Sequence, residues 1–101
     1  MQAITDKSVD AVVICSPTDA HAEQIEAAAA AGKAIFCEKP IDLSLERVDR
    51  CLAAVRKASV TMMVGFNRRF DASFGAVHAG IRDGKIGKLE TVITNSRDPG
   101  P

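Results

Sequence analysis

Three short polar segments of the sequence carry side chains that could act on a bound ligand. They are Ser16 to His21, Glu38 to Pro40 and Gly65 to Arg69. Lys39 stands between a carboxylate and a rigid proline, so its ammonium could be aimed at a substrate hydroxyl or carbonyl group and take part in proton transfer. The local sequence leaves a second interpretation equally open, a surface lysine in a turn. Glu38 is either a solvated carboxylate or a partner that holds Lys39.

The other polar residues of these segments also have both a binding and a structural interpretation. Ser16, Thr18 and His21 could hydrogen-bond a nucleotide at a helix N-terminus, although capping of the helix is the role we expect first for Ser16. A protonated imidazole in the first turn would oppose the helix dipole, so we expect His21 to be neutral and hydrogen-bonded. Asn67 and the guanidinium of Arg68 could bind a polar substrate or cofactor by paired hydrogen bonds.

Other classes of site are absent from the sequence. It has no glycine-rich phosphate loop, no paired metal ligands and no Ser-His-Asp arrangement. We therefore predict no metal site. The cysteines Cys15, Cys37 and Cys51 are odd in number and lack metal-ligand spacing, a pattern that predicts buried structural thiols.

The charge balance argues against two kinds of partner. Thirteen Lys and Arg residues offset 13 Asp and Glu residues, and neither sign forms a long block, so we predict neither a nucleic-acid nor a membrane partner. Apolar stretches such as residues 27–31 are too short to cross a bilayer. With 47% hydrophobic residues, the chain is expected to be globular and cytoplasmic.

The elements that must position the three segments follow from hydrophobic patterning. Short apolar runs predict strands buried on both faces, at residues 10–15, 34–38 and 61–65. Capping residues and helical spacing predict three intervening or following helices, over residues 17–31, from residue 45 onward, and over residues 72–83. The alternating stretch at residues 89–94 predicts a strand exposed on one side, of a different sheet.

This order predicts an α/β fold, the second half of a Rossmann-like doubly wound parallel sheet. In such sheets ligands bind beyond the carboxyl ends of the strands, where the three polar segments lie. Convergence at that edge is the strongest functional signal that the residues themselves provide. The cluster Asp98 to Pro101 resembles a loop, and the first nine residues are too short for a preceding strand, so we expect a fragment of a longer protein.

The segment AVVICSPTDAHAEQIEAAAAAGKAIFCEKP, followed by GFNRRFD, resembles the glucose-fructose oxidoreductase / inositol dehydrogenase / rhizopine catabolism family of oxidoreductases. The resemblance implies hydride transfer from a hydroxyl carbon of a polyol, expected to be myo-inositol, to NAD, with NADP left open. It implies that Lys39 assists deprotonation of the substrate hydroxyl and that the Lys39-Pro40 peptide bond is cis. The implied cofactor contacts are Ser16, Thr18, His21 and Glu38, and the implied substrate contacts are Asn67 and Arg68.

The same resemblance implies two domains and missing parts of the site. Residues 1–87 would be a partial NAD(P)-binding Rossmann-like domain that lacks its glycine-rich strand, turn and helix. Residues 88–101 would begin a C-terminal α+β domain for substrate binding and oligomerisation, with residues 89–94 as its first strand. The family's catalytic Asp and His would follow Pro101, so the fragment alone is expected to be inactive and its parent to be a homo-oligomer, a tetramer.

Three alternatives stay open at this point. The parent could be another sugar dehydrogenase or oxidoreductase of the same family. It could be a regulatory relative that binds a nucleotide without catalysis. It could also be an enzyme that forms a Schiff base, which would require a desolvated Lys39 with a lowered pKa.

Overall fold

The computed structural model describes residues 2–97, and within them strands and helices alternate as the sequence predicts. These residues form two units, whose boundary lies between Phe66 and Asn67. The elements of the first unit are α1 (Gln2–Thr5), β1 (Ala11–Ile14), α2 (Thr18–Ala30), β2 (Ala34–Cys37), α3 (Leu45–Ala58) and β3 (Met62–Val64). The second unit contains a 3₁₀ helix (Asn67–Phe70) and α4 (Ala72–Arg82). None of the helices within residues 2–97 has the length and apolar character that a membrane crossing requires.

The three strands of the first unit form one parallel sheet in the order β1-β2-β3. Ile14 pairs with Cys37, and Cys37 pairs in turn with Val64, so the carboxyl ends of all three strands are level. Parallel neighbours need a crossover connection, which α2 and α3 supply. The predicted α/β class is confirmed, and so is the parallel sheet.

The core lies between the sheet and α2, which packs against β1, β2 and α3. Ile25, Ala28 and Cys37 have no exposed surface. Burial of a side chain as large as Ile25 stabilises the fold by roughly 1.5–3 kcal/mol. The alanines of α2 let its backbone approach the sheet closely. Gly32 then ends the helix in the left-handed region, at φ +71°, where the amide of Lys33 donates to the carbonyl of Ala28.

The prediction that the strands are buried on both faces is wrong. Ile14 is 4% exposed, but its neighbour Val13 is 71% exposed, and Met63 on β3 is 45% exposed. Burial therefore alternates along the strands, with a period of two residues. The physical reason is that α2 covers one face of the sheet, while in the described part of the chain no element covers the other.

The predicted strand at residues 89–94 is also wrong. These residues have no regular secondary structure, and Val92 and Ile93 are 68% and 82% exposed. A strand requires backbone partners on a neighbouring strand, and residues 2–97 supply none there. The predicted loop at Asp98 to Pro101 lies outside the described residues.

Candidate active site

The candidate active site of the first unit lies at the carboxyl edge of its sheet. Backbone hydrogen bonds continue one residue beyond β2 and one residue beyond β3 at this edge. The amide of Glu38 donates to the carbonyl of Ile14 (2.9 Å), and the amide of Gly65 donates to the carbonyl of Cys37 (2.8 Å). Glu38 and Gly65 are therefore held side by side by the sheet itself, next to the turn between β1 and α2.

The carboxylate of Glu38 is half-buried against the backbone of Gly65. A Cβ atom built on Gly65 would stand 3.1 Å from both carboxylate oxygens, which is closer than side chains ordinarily approach. The Oε2 atom of Glu38 also accepts a hydrogen bond from the backbone amide of Lys39, at 3.2 Å. The backbones of Gly65 and Lys39 thus fix the position of the carboxylate. The sequence allowed Glu38 to be either a solvated carboxylate or a partner that holds Lys39, and this placement favours the partner.

Lys39 projects from the loop between β2 and α3, and its side chain is exposed. Within residues 2–97 its ammonium has no hydrogen-bond or ion-pair partner, so its three donors are available to a ligand. The Lys39-Pro40 peptide bond is cis, as the family resemblance implies.

His21 lies in the first turn of α2 and is 2% exposed. Its Nε2 atom is 2.7 Å from the carbonyl oxygen of Ser16, and its Nδ1 atom is 2.8 Å from the carbonyl oxygen of Pro40. The prediction of a hydrogen-bonded histidine is confirmed. The deep burial of the ring was not predicted from the sequence. A neutral imidazole has one N–H donor, so the neutral ring makes one of these contacts as a hydrogen bond and the doubly protonated ring makes both.

Ser16 is not the cap of α2, so that prediction is wrong. Pro17 occupies the N-cap position with φ −56° and ψ 146°, and the helix begins at Thr18. Ser16 is one residue too early to reach the first-turn amides, and its hydroxyl donates instead to Oε1 of Gln24 at 2.9 Å. Among residues 2–97 no side chain caps the N-terminus of α2, and its amides are available to polar groups of a ligand.

Asn67 and Arg68 belong to the second unit, where both are exposed on the 3₁₀ helix. The guanidinium of Arg68 stacks on the ring of Phe74, with its central carbon 5.3 Å from the ring centroid. Asn67, Arg68 and Phe74 line an open cleft of about 560 Å³. Other residues that the sequence did not single out complete its lining, namely Phe70, Asp71, Asn95, Ser96 and Arg97.

The cysteines divide into two buried thiols and one exposed thiol. The pKa of Cys37 is raised to about 11, mainly by burial and to a smaller extent by the neighbouring Cys15 and Cys51. Burial also raises the pKa of Cys51, so both groups are neutral and poor nucleophiles near neutral pH. Cys15 is exposed, contrary to prediction, because it follows buried Ile14 and faces the uncovered side of the sheet.

In residues 2–97 no three metal-ligating side chains are grouped to hold an ion.

Sequence reasoning assigned no role to two residues that shape this edge, Gly65 and Gln24. The role of Gly65 could have been predicted, because a glycine at the end of one predicted strand and a Glu at the end of the neighbouring one lie side by side in a parallel sheet. Gln24 has no comparable signal, because its contact depends on where the helix begins.

Comparison with known proteins places the chain among oxidoreductases. Residues 1–66 match the sequence profile of the Gfo/Idh/MocA oxidoreductase family with its NAD-binding Rossmann fold. An inositol 2-dehydrogenase of Rhizobium meliloti is 62% identical over 91 residues, which are 90% of this chain and 28% of that protein. A myo-inositol 2-dehydrogenase of Thermotoga maritima is 45% identical over 100 residues, 99% of this chain and 30% of that protein. The chain spans less than a third of the length of these curated relatives.

The fold has close counterparts among solved structures. A scyllo-inositol dehydrogenase from Lactobacillus casei, crystallised with bound NAD(H) and scyllo-inositol, superimposes with a TM-score of 0.80. It is 37% identical in sequence, and the match covers 85% of this chain and 26% of that one. This likeness confirms the Rossmann-like arrangement that the sequence predicts.

Proposed function

The chain belongs to the Gfo/Idh/MocA oxidoreductase family, and from that premise we propose that the complete protein that carries it oxidises a polyol with NAD. Myo-inositol is the substrate we propose first, because relatives of 62% and 45% identity are named inositol 2-dehydrogenases. The observation that carries the proposal is the carboxyl edge of the sheet. There the half-buried carboxylate of Glu38 accepts the backbone amide of Lys39, and the exposed ammonium of Lys39 has no partner among residues 2–97. NADP stays open as the cofactor.

The residues of this edge fit a nicotinamide cofactor. The amides at the N-terminus of α2 lack a side-chain cap, and Gly65 has no side chain to occupy the space beside Glu38. When bound, the cofactor would accept the hydride that leaves the hydroxyl-bearing carbon. We propose that Ser16, Thr18 and Glu38 lie on the cofactor side.

Lys39 is the residue that we propose for proton transfer. As the hydride leaves carbon, the hydroxyl oxygen loses its proton and a ketone forms, so a group near that oxygen must hold or pass on the proton. The ammonium of Lys39 is exposed and has no partner among residues 2–97, and its positive charge stabilises the oxygen as its proton departs. Its nitrogen can receive that proton once it has released one of its own to solvent water. We propose Asn67 and Arg68 for the substrate hydroxyl groups, because amide and guanidinium donors suit a ring of hydroxyls.

The test is an assay of the complete protein with NAD and myo-inositol, in which the nicotinamide absorbance reports reduction. A panel of other polyols and sugars is assayed in parallel, and each assay is repeated with NADP in place of NAD. We expect reduction with an inositol. Activity on another sugar alone would correct the substrate, whereas NAD binding without turnover of any polyol would favour the regulatory alternative.

We propose in addition that the protein is cytoplasmic and homo-oligomeric. The three cysteines are free thiols in the structure, which suits a reducing compartment. The tetramer that the family resemblance implies can be tested by light scattering on the complete protein. A monomer at assay concentration would overturn that part of the proposal.

A further inference from the structure

His21 joins two loops that meet at the carboxyl edge of the sheet. Its Nε2 atom contacts the carbonyl oxygen of Ser16, in the turn between β1 and α2, and its Nδ1 atom contacts the carbonyl oxygen of Pro40. Pro40 directly follows Lys39 and lies 19 residues from His21 in sequence. One side chain therefore spans the segment that leads into α2 and the segment that carries the lysine.

The ring is fixed by its surroundings as well as by these contacts. It is 2% exposed and is one of the largest fully buried side chains among residues 2–97. It projects from α2, whose residues Ala22 and Ile25 lie in the core. A buried polar side chain that lies between two backbone carbonyls is costly to displace, because a carbonyl that accepts its N–H would then need another donor. The Ser16 and Pro40 carbonyls are thereby held at a set separation.

We propose that His21 is a positioning residue that fixes the Lys39 loop to the turn between β1 and α2. Its part in the cofactor site is indirect, because both ring nitrogens already face backbone carbonyls and the ring is almost fully enclosed. A residue that touched the cofactor would need a free nitrogen or an exposed ring edge. The kinetic consequence of this arrangement rests on the proposed function, whereas the restraint on the loop does not.

Hydrogen exchange in the complete protein tests the restraint without reference to activity. In His21→Ala, backbone amides of residues 38–47 should exchange about tenfold faster than in the wild type, the factor expected when about one net hydrogen bond is lost from a locally opening segment. His21→Gln keeps an N–H donor and should show a smaller increase. Gln24→Ala is the matched control. It removes the contact of the Ser16 hydroxyl but leaves both His21 contacts, so residues 38–47 should exchange as in the wild type.

Kinetics with NAD and an inositol then separate positioning from direct cofactor binding. A positioning role predicts that His21→Ala lowers kcat by about tenfold or more with little change in the Kd of NAD, because a displaced lysine affects the transition state. His21→Gln should recover part of kcat. A rise in the Kd of NAD with kcat unchanged would assign His21 to the cofactor and overturn the proposal.

The two tests fail in different ways. Unchanged exchange at residues 38–47 in both His21 variants would overturn the positioning role, whatever the activity. Faster exchange in His21→Ala, together with a wild-type protein that oxidises no polyol, would support the restraint and reject the proposed function. A variant that merely loses thermal stability, with exchange rising equally in all segments and kcat intact, would also overturn the positioning role.

Discussion

The carboxylate of Glu38 rests on the backbone of Gly65, with both of its oxygens 3.1 Å from the point where a Cβ atom of residue 65 would stand. Neighbouring parallel strands bring the two residues together, and the amide of Gly65 donates to the carbonyl of Cys37 at 2.8 Å. The position of the carboxylate therefore depends on the absence of a side chain across the sheet. In the proposed site this carboxylate lies on the cofactor side, beside Lys39.

The first prediction is that Gly65→Ala weakens NAD binding. The added methyl group requires the Glu38 carboxylate to move away by a few tenths of an ångström. Because that carboxylate is the end of a flexible side chain, we expect the change to alter its position rather than to cost much stability. We expect the Kd of NAD, measured by titration of the complete protein, to rise. Gly80→Ala is the control, because a Cβ there meets nothing within 4 Å. NAD affinity equal to the wild type in Gly65→Ala would contradict the account of Glu38.

The order of elements can be predicted from the sequence because each element carries a local signal. Gly32 ends α2 in the left-handed region, and Ser44 accepts the amide of Arg47 at the start of α3. The convergence of the polar segments that follow β1 and β2 also follows from the sequence, since strand order alone places them at one edge. These features depend on neighbours in the chain or on topology.

The features that escaped prediction depend on contacts between distant residues. Val13 and Ile14 are both apolar and β-branched, and only the position of α2 decides that one is exposed and the other buried. The approach of His21 to Pro40 depends on how α2 packs against the loop. The failed strand at residues 89–94 shows the same dependence, because strand formation requires a partner that no local pattern can supply.

A second prediction concerns the pH dependence of stability through Cys37. Burial raises its pKa from 9.0 to about 11 in the folded state, so the folded protein retains a proton that the unfolded chain loses above pH 9. Stability from this group is fully present below pH 9.0 and is lost as the pH rises towards about 11. Urea unfolding of the complete protein across this range should show a steeper decline for the wild type than for Cys37→Ala. Equal slopes would mean that Cys37 titrates normally in the folded state.

A third prediction separates a structural residue of the GFNRRFD segment from the proposed substrate residues. Asp71 caps α4, because its Oδ1 atom accepts from the amides of Ser73 (2.9 Å) and Phe74 (3.1 Å). Asp71→Ala should therefore cost about 1 kcal/mol of stability, as loss of an N-cap does, whereas Asp71→Asn retains an acceptor and should cost less. Chemical denaturation of the complete protein measures both.

The control for the cap is Asp83→Ala at the other end of α4. Asp83 accepts from Nε of Arg82 at 3.0 Å, but this pair is exposed and exposed pairs contribute about 0–1 kcal/mol. An Asp71→Ala protein as stable as the Asp83→Ala protein would show that the cap contributes nothing measurable.

The central claim is that Lys39 takes part in the transfer of the hydroxyl proton while the hydride passes to NAD. The most direct measurement is the single-turnover rate of NAD reduction by the complete protein, saturated with NAD and myo-inositol. It compares the wild type with Lys39→Ala. The control is Lys57→Ala, which alters an exposed lysine in the last turn of α3. We predict that Lys39→Ala slows this rate by about 10²–10⁴-fold with NAD binding retained, the range for loss of a proton-transfer group, and that Lys57→Ala matches the wild type. Reduction by Lys39→Ala at the wild-type rate would contradict the claim.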